Sequence, residues 1–108
     1  MLISPSWNLN RPVCAPDYSG HGVRVIIEGR VQGVWYRGWT VETARALGLN
    51  GWVRNLADGN VEVVFSGPEQ AMDDMLVRCH QGPPAARVRS VTVESWRGPI
   101  TPGFHQMR

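Results

Sequence analysis

Gly29 and Gly33 stand ahead of an arginine at position 37 in the run Gly-Arg-Val-Gln-Gly-Val-Trp-Tyr-Arg. Glycine lets a backbone take left-handed turns and approach a ligand closely. Successive free N–H groups in such a turn converge on a concave anion site. The run leads into a helical pattern, and a helix N-terminus adds the positive end of its dipole. Arg37 stands at that entrance, where its guanidinium can close over the cradle. Loop, helix end and arginine together suit a compact dianion such as a phosphoryl group. On spacing alone this reading is even with a plainer one, in which the glycines only turn the chain and Arg37 lies on the surface.

The cationic composition narrows the chemistry. All eleven positive residues are arginine, and lysine is absent. Schiff-base lysine, lysine general base and the Gly-Lys-Ser/Thr phosphate loop of ATPases are thereby excluded. An arginine must supply any cation that an anionic ligand needs, and its planar fork suits a bidentate grip on phosphate. The net charge of +2 says little about polyanionic partners.

Other nucleophiles fail on spacing. A cysteine-dependent phosphatase needs an arginine six residues after its cysteine, but Ala85 follows Cys79 and Gly20 follows Cys14 at that distance. Cys79 falls on the apolar face of a helical pattern and reads as core. The two cysteines read as reduced thiols, or else as one disulfide holding the N-terminus. His21, His80 and His105 are scattered, Gly-x-Ser-x-Gly is absent, and no His/Asp/Glu cluster has metal-ligand spacing. No metal or cofactor is expected.

The elements that would position Arg37 follow from periodicity. Val23–Glu28 is β-branched and partly alternating, a strand. Gly38–Gly48 carries Val41, Ala44 and Leu47 at helical spacing, with a glycine stop. Gly51–Leu56 and Asn60–Phe65 read as strands joined by an Asp58-Gly59 turn. Gly67-Pro68-Glu69 opens a second helix, lined by Met72, Met75, Leu76 and Cys79 and ended by Gly82-Pro83-Pro84. Val88–Glu94 is a fourth strand with Val91 and Val93 on one face, and residues 104–108 can add a short fifth at an edge. The order β-α-β-β-α-β predicts a ferredoxin-like α+β sandwich, an antiparallel sheet with two helices on one face. Residues 1–20, with three prolines and no period, read as a flexible leader before one domain over 21–108.

Gly29-Arg-Val-Gln-Gly-Val-Trp-Tyr-Arg37 resembles the acylphosphatase motif Gly-x-Val-Gln-Gly-Val-x-Phe/Tyr-Arg. Gly51-Trp-Val-Arg-Asn55, followed by Asp58-Gly59, is similar to the family's second segment, and the separation of Arg37 from Asn55 matches. Ser66-Gly67-Pro68, Gly82-Pro83-Pro84 and Gly103-Phe104 extend the likeness over about residues 22 to 108. Trp35 departs from it, standing where a small residue is common. The resemblance implies a small stand-alone enzyme that hydrolyses the carboxyl-phosphate bond of acyl phosphates. It implies that Arg37 and the loop residues Val31, Gln32, Gly33, Val34, Trp35 and Tyr36 bind phosphate, the loop through its amides. It gives Asn55 the attacking water. Hydrolysis of an acyl phosphate, whose leaving group is a carboxylate, needs charge neutralisation and a water in line more than it needs acid catalysis. Asn55 also has an ordinary explanation, capping the Asp58-Gly59 turn. Arg54, on the opposite strand face, is expected in solvent. Trp35, Tyr36, Trp39 and Trp52 are expected in the core or at the rim.

RNA-recognition modules share this topology, but the third strand carries Glu62 and a single aromatic, so nucleic-acid binding is not expected. A carbamoyl-phosphate module within a larger maturation enzyme would bring cysteine-rich segments, and this chain has two cysteines. A phosphate-binding relative without turnover stays open. No 18-residue apolar run exists and the N-terminus lacks a secretory pattern, so a cytoplasmic protein is expected. Short edge strands point to a monomer.

Overall fold

Alternation along the first strand, β1 (Gly22–Arg30), sends Val23, Val25 and Ile27 to one face, where they are fully buried, and Arg24, Ile26 and Glu28 to the other. The structure, a computed structural model, describes residues 22–107. The expected leader over 1–20 lies outside them. The elements that follow are α1 (Tyr36–Ala46), β2 (Asn50–Asn55), β3 (Val61–Ser66), α2 (Glu69–Cys79), β4 (Arg87–Trp96) and β5 (Phe104–Gln106). The sheet order is β4-β1-β3-β2-β5.

Val53, Val63, Val25 and Val93 form one cross-strand row. This row and its neighbours meet Ala44 of α1 and Met72, Met75 and Cys79 of α2 in a single core. Two helices thus cover one sheet face, as the periodicity predicts. The four long strands pair antiparallel, while β5 pairs parallel to β2 and makes the sheet mixed. The chain leaves β4 at one edge, crosses the end of the sheet, and enters beside β2 in the same direction. Phe104, 1 % exposed, anchors that short strand.

Several expectations shift. β4 is an edge strand of ten residues, so short edges do not describe both sides of the sheet. Arg87, Arg89 and Glu94 place charges along it, which discourages strand pairing with another chain. Helix α1 begins at Tyr36 rather than Gly38, because Tyr36 is drawn into the core, where its hydroxyl donates to the Cys79 carbonyl at 2.6 Å. Cys79 is a free thiol with no exposure.

Arg54 is not simply solvated. Its Nε donates to Glu62 Oε1 at 2.5 Å, and Arg24 Nε donates to Glu62 Oε2 at 2.6 Å. Arg24 also holds Glu94 at 2.7 Å. Glu62 faces away from the helices yet is only 3 % exposed. Beside this network Trp52 meets Trp96 edge to face, ring centres 5.6 Å apart. Among the described residues no helix is long and apolar enough to cross a membrane.

Candidate active site

The loop from Val31 to Trp35 joins β1 to α1. Val31 is buried and pins its start. Gly33 has φ 76° and Trp35 φ 67°, ψ 21°, both left-handed. A Cβ on Gly33 would meet open space, so glycine is needed there for the backbone angle and not for room. Trp35 is the N-cap of α1, and its carbonyl accepts the first helical bond from Trp39 N at 3.0 Å. No side chain caps this helix and no acid lies in its first turn. Its leading N–H groups and positive dipole end are therefore left for an anion.

Arg37 sits in the first turn of α1. One of its donors, Nη1, bonds the Met107 carbonyl at 3.1 Å. Met107 N in turn donates to Val53 O at 2.8 Å. Asn55 lies two residues beyond Val53 in the same strand, hence on the same, helix-covered face. At its other end α1 is held by Arg45, whose Nε and Nη2 reach the Phe104 carbonyl at 3.1 and 2.9 Å. The two arginines thus fasten α1 along β5. They bring Arg37 to the end of β2 where Asn55 stands.

The turn-capping explanation of Asn55 fails here. Asp58 caps its own turn, accepting from Asn60 N at 3.0 Å. Among the described residues, Asn55 Oδ1 is a buried acceptor without a hydrogen-bond partner. Such an atom carries a desolvation cost unless something donates to it.

Gln32 was expected to contribute only as a loop residue, and sequence reasoning missed the role of its side chain. Its Nε2 donates to the carbonyls of Leu56 and Asn60, each at 2.8 Å. These carbonyls belong to the β2–β3 connection that follows Asn55, so Gln32 ties the glycine loop to the hairpin. The glutamine within the glycine run could have signalled this, since a side-chain amide there has two protons to place. Tyr36 is core rather than rim, and burial raises its hydroxyl far above the ordinary tyrosine value. Trp39 is half-buried against it, ring centres 5.3 Å apart, and Val34 packs against the core. Trp35 stands out in solvent, 57 % exposed. Cys79 is remote from catalytic use, because burial pushes its thiol up to about 12.

Fold and loop together define a class: a ferredoxin-like α+β domain with a left-handed glycine loop between β1 and α1. The acylphosphatase family model matches residues 23–106. An acylphosphatase of Rhodospirillum rubrum is 61 % identical over 82 residues, which cover 76 % of this chain and 90 % of that protein. One from Rhizorhabdus wittichii is 53 % identical over 83 residues, 77 % of this chain and 84 % of that one. The crystal structure of acylphosphatase from Bacillus subtilis superposes with a TM-score of 0.76 at 32 % identity, covering 82 % of this chain and 99 % of that one. The chain belongs to the acylphosphatase family.

Proposed function

We propose that this enzyme hydrolyses small acyl phosphates to a carboxylate and inorganic phosphate, with the phosphoryl group held by the amides of residues 31–37 and by Arg37. The left-handed turns at Gly33 and Trp35 and the uncapped start of α1 support this reading, because such turns and helix starts present backbone donors to an anion. Arg37 spends one bond on Met107, which orients the guanidinium and leaves its other N–H groups for phosphoryl oxygens. These donors neutralise charge as it builds on the equatorial oxygens.

Asn55 places the water. The observation that carries this reading is the buried, unpartnered Asn55 Oδ1 beside the Arg37 turn. A water donating to it is oriented with a lone pair toward phosphorus, and a neutral amide does so without repelling the phosphate. The water oxygen forms a bond to phosphorus as the bond from phosphorus to the acyl oxygen breaks. The electron pair leaves on the carboxylate, and the water proton passes to a phosphoryl oxygen. A carboxylate needs no acid to leave.

The reading extends to a metal-independent, cytoplasmic monomer that acts on a small molecule and not on nucleic acid. The working unit is 21–108, with 1–20 dispensable. Glu28, Glu62 and Glu94 on the open sheet face offset its arginines, which argues against a polyanion platform there. The test is hydrolysis of acetyl and benzoyl phosphate in EDTA by the full chain and by a chain lacking 1–20. Turnover by both supports the reading. No turnover by the full chain, or turnover restored only by added divalent cation, overturns it.

A further inference from the structure

Among the described residues three large hydrophobic side chains are exposed: Trp35, Val77 and Met107. Two of them border Arg37. Trp35 is its near neighbour in the loop, and Met107 accepts its hydrogen bond. Among the described residues, two of the three exposed large hydrophobics thus belong to segments that adjoin Arg37, where a phosphate alone has no use for them.

Trp35 is also held there at a cost. Its φ of 67° is a conformation that a bulky aromatic residue rarely takes and that glycine or asparagine would take more readily. Burial does not compensate, because 57 % of the residue is exposed. The ring nonetheless lies close against the helix. A Cβ on Gly38, one helical turn on, would collide with Nε1, Cδ1 and Cε2 of the Trp35 indole, the last at 2.7 Å. The pyrrole side of the ring thus lies on bare helix backbone at Gly38, and the rest of the ring is left toward solvent at the loop. A strained and exposed aromatic points to function rather than to packing.

We propose that Trp35 forms the platform that receives the acyl group, so that this enzyme favours acyl phosphates with flat apolar acyl groups over acetyl phosphate. The proposal rests on the phosphate-cradle reading above. With the phosphoryl group in the amides of 31–37, the acyl group would leave the cradle beside the loop that carries the exposed Trp35 side chain. The indole rests against the backbone at Gly38, which limits the conformational freedom it loses on stacking. Its π-face accepts an aromatic ring in offset or edge-on contact.

The experiment compares phenylphosphonate with methylphosphonate as competitive inhibitors, and benzoyl phosphate with acetyl phosphate as substrates, in the wild type, Trp35→Gly, Trp35→Phe and Gly38→Ala. The wild type is expected to favour the aromatic member of each pair. That preference should fall about fivefold in Trp35→Gly, the size of one lost aromatic contact, and survive in Trp35→Phe. Gly38→Ala, which keeps the tryptophan but evicts its ring, should lose preference as Trp35→Gly does. A purely structural role for Trp35 would weaken both members of each pair alike. An unchanged preference in Trp35→Gly and Gly38→Ala, with inorganic phosphate still competing, overturns the proposal alone. Failure of inorganic phosphate to compete in the wild type overturns the cradle reading and the proposal with it.

Discussion

Gln32 Nε2 lies 2.8 Å from the Asn60 carbonyl oxygen and donates to it, while its second bond goes to Leu56 O. Leu56 N donates to that same Asn60 oxygen at 2.8 Å. One side-chain amide thereby joins the glycine loop to the connection that follows Asn55. The bridge thus joins the loop proposed to hold the phosphoryl group to the connection beyond the residue proposed to place the water.

Gln32→Ala is expected to lose both bonds, lowering stability by about 1–2 kcal/mol. The larger effect falls on turnover, because a misplaced nucleophile costs on the order of tenfold to a hundredfold in rate. Gln32→Glu should be worse than alanine, as a carboxylate would face two carbonyl oxygens. Steady-state kinetics with acetyl phosphate, together with thermal melts, check this. A normal kcat in Gln32→Glu contradicts the bridging role.

Arg37 and Asn55 should fail differently. Arg37→Ala removes a charged donor from the phosphoryl group, so kcat/KM should drop by about a thousandfold or more and inhibition by inorganic phosphate should weaken with it. Asn55→Ala removes the water's anchor, so kcat should drop by roughly a hundredfold while phosphate inhibition stays near the wild-type value. Initial-rate measurements with phosphate as competitor separate the two. Unchanged phosphate inhibition in Arg37→Ala refutes this division of labour.

Glu62 predicts a pH dependence of stability. Burial alone would raise its carboxyl, but hydrogen bonds from Arg54 and Arg24 outweigh that and hold it below its ordinary value of 4.5. A carboxyl lowered in the folded state contributes fully above its unfolded pKa, and the contribution is lost as pH falls through the lowered one. Melting temperature should therefore decline below about pH 4.5, and Glu62→Gln should flatten that limb. Both arginines keep access to water and Arg24 keeps Glu94, so Glu62→Ala should cost about 1–2 kcal/mol at neutral pH, less than the loss of a fully buried pair. Denaturant melts at pH 3 to 7 give the comparison.

Tyr36 and Cys79 form a buried contact outside the chemistry. Tyr36→Phe leaves the Cys79 carbonyl unpaired and should cost about 1–2 kcal/mol in denaturant melts. With its thiol pushed up to about 12 by burial, Cys79 stays protonated in the native state. In a Cys14→Ser background, a thiol reagent at pH 8 should label Cys79 only as fast as the protein unfolds. Rapid native labelling would show that the core opens locally there.

The amino-acid sequence by itself determined the order of elements, the two-layer arrangement and the place of the glycine loop. Valines at alternate positions of β1 and β3, and Met72, Met75 and Cys79 along α2, encode those in a local period, and Gly33 encodes a left-handed turn in its missing side chain. The place of Arg37 next to that loop was legible for the same reason, being adjacent to it in the chain. What depends on distant partners was not. The parallel docking of β5, the Glu62 bridge between Arg24 and Arg54, and the span from Gln32 to Asn60 join residues with no periodic relation. The plainer reading of Asn55 failed only when Asp58 was seen to cap the turn and Asn55 Oδ1 to lie buried without a partner. Trp35 shows the division within one residue. Its departure from the family pattern is plain in the chain, but its left-handed backbone, its exposure and its rest on Gly38 are settled by packing in three dimensions.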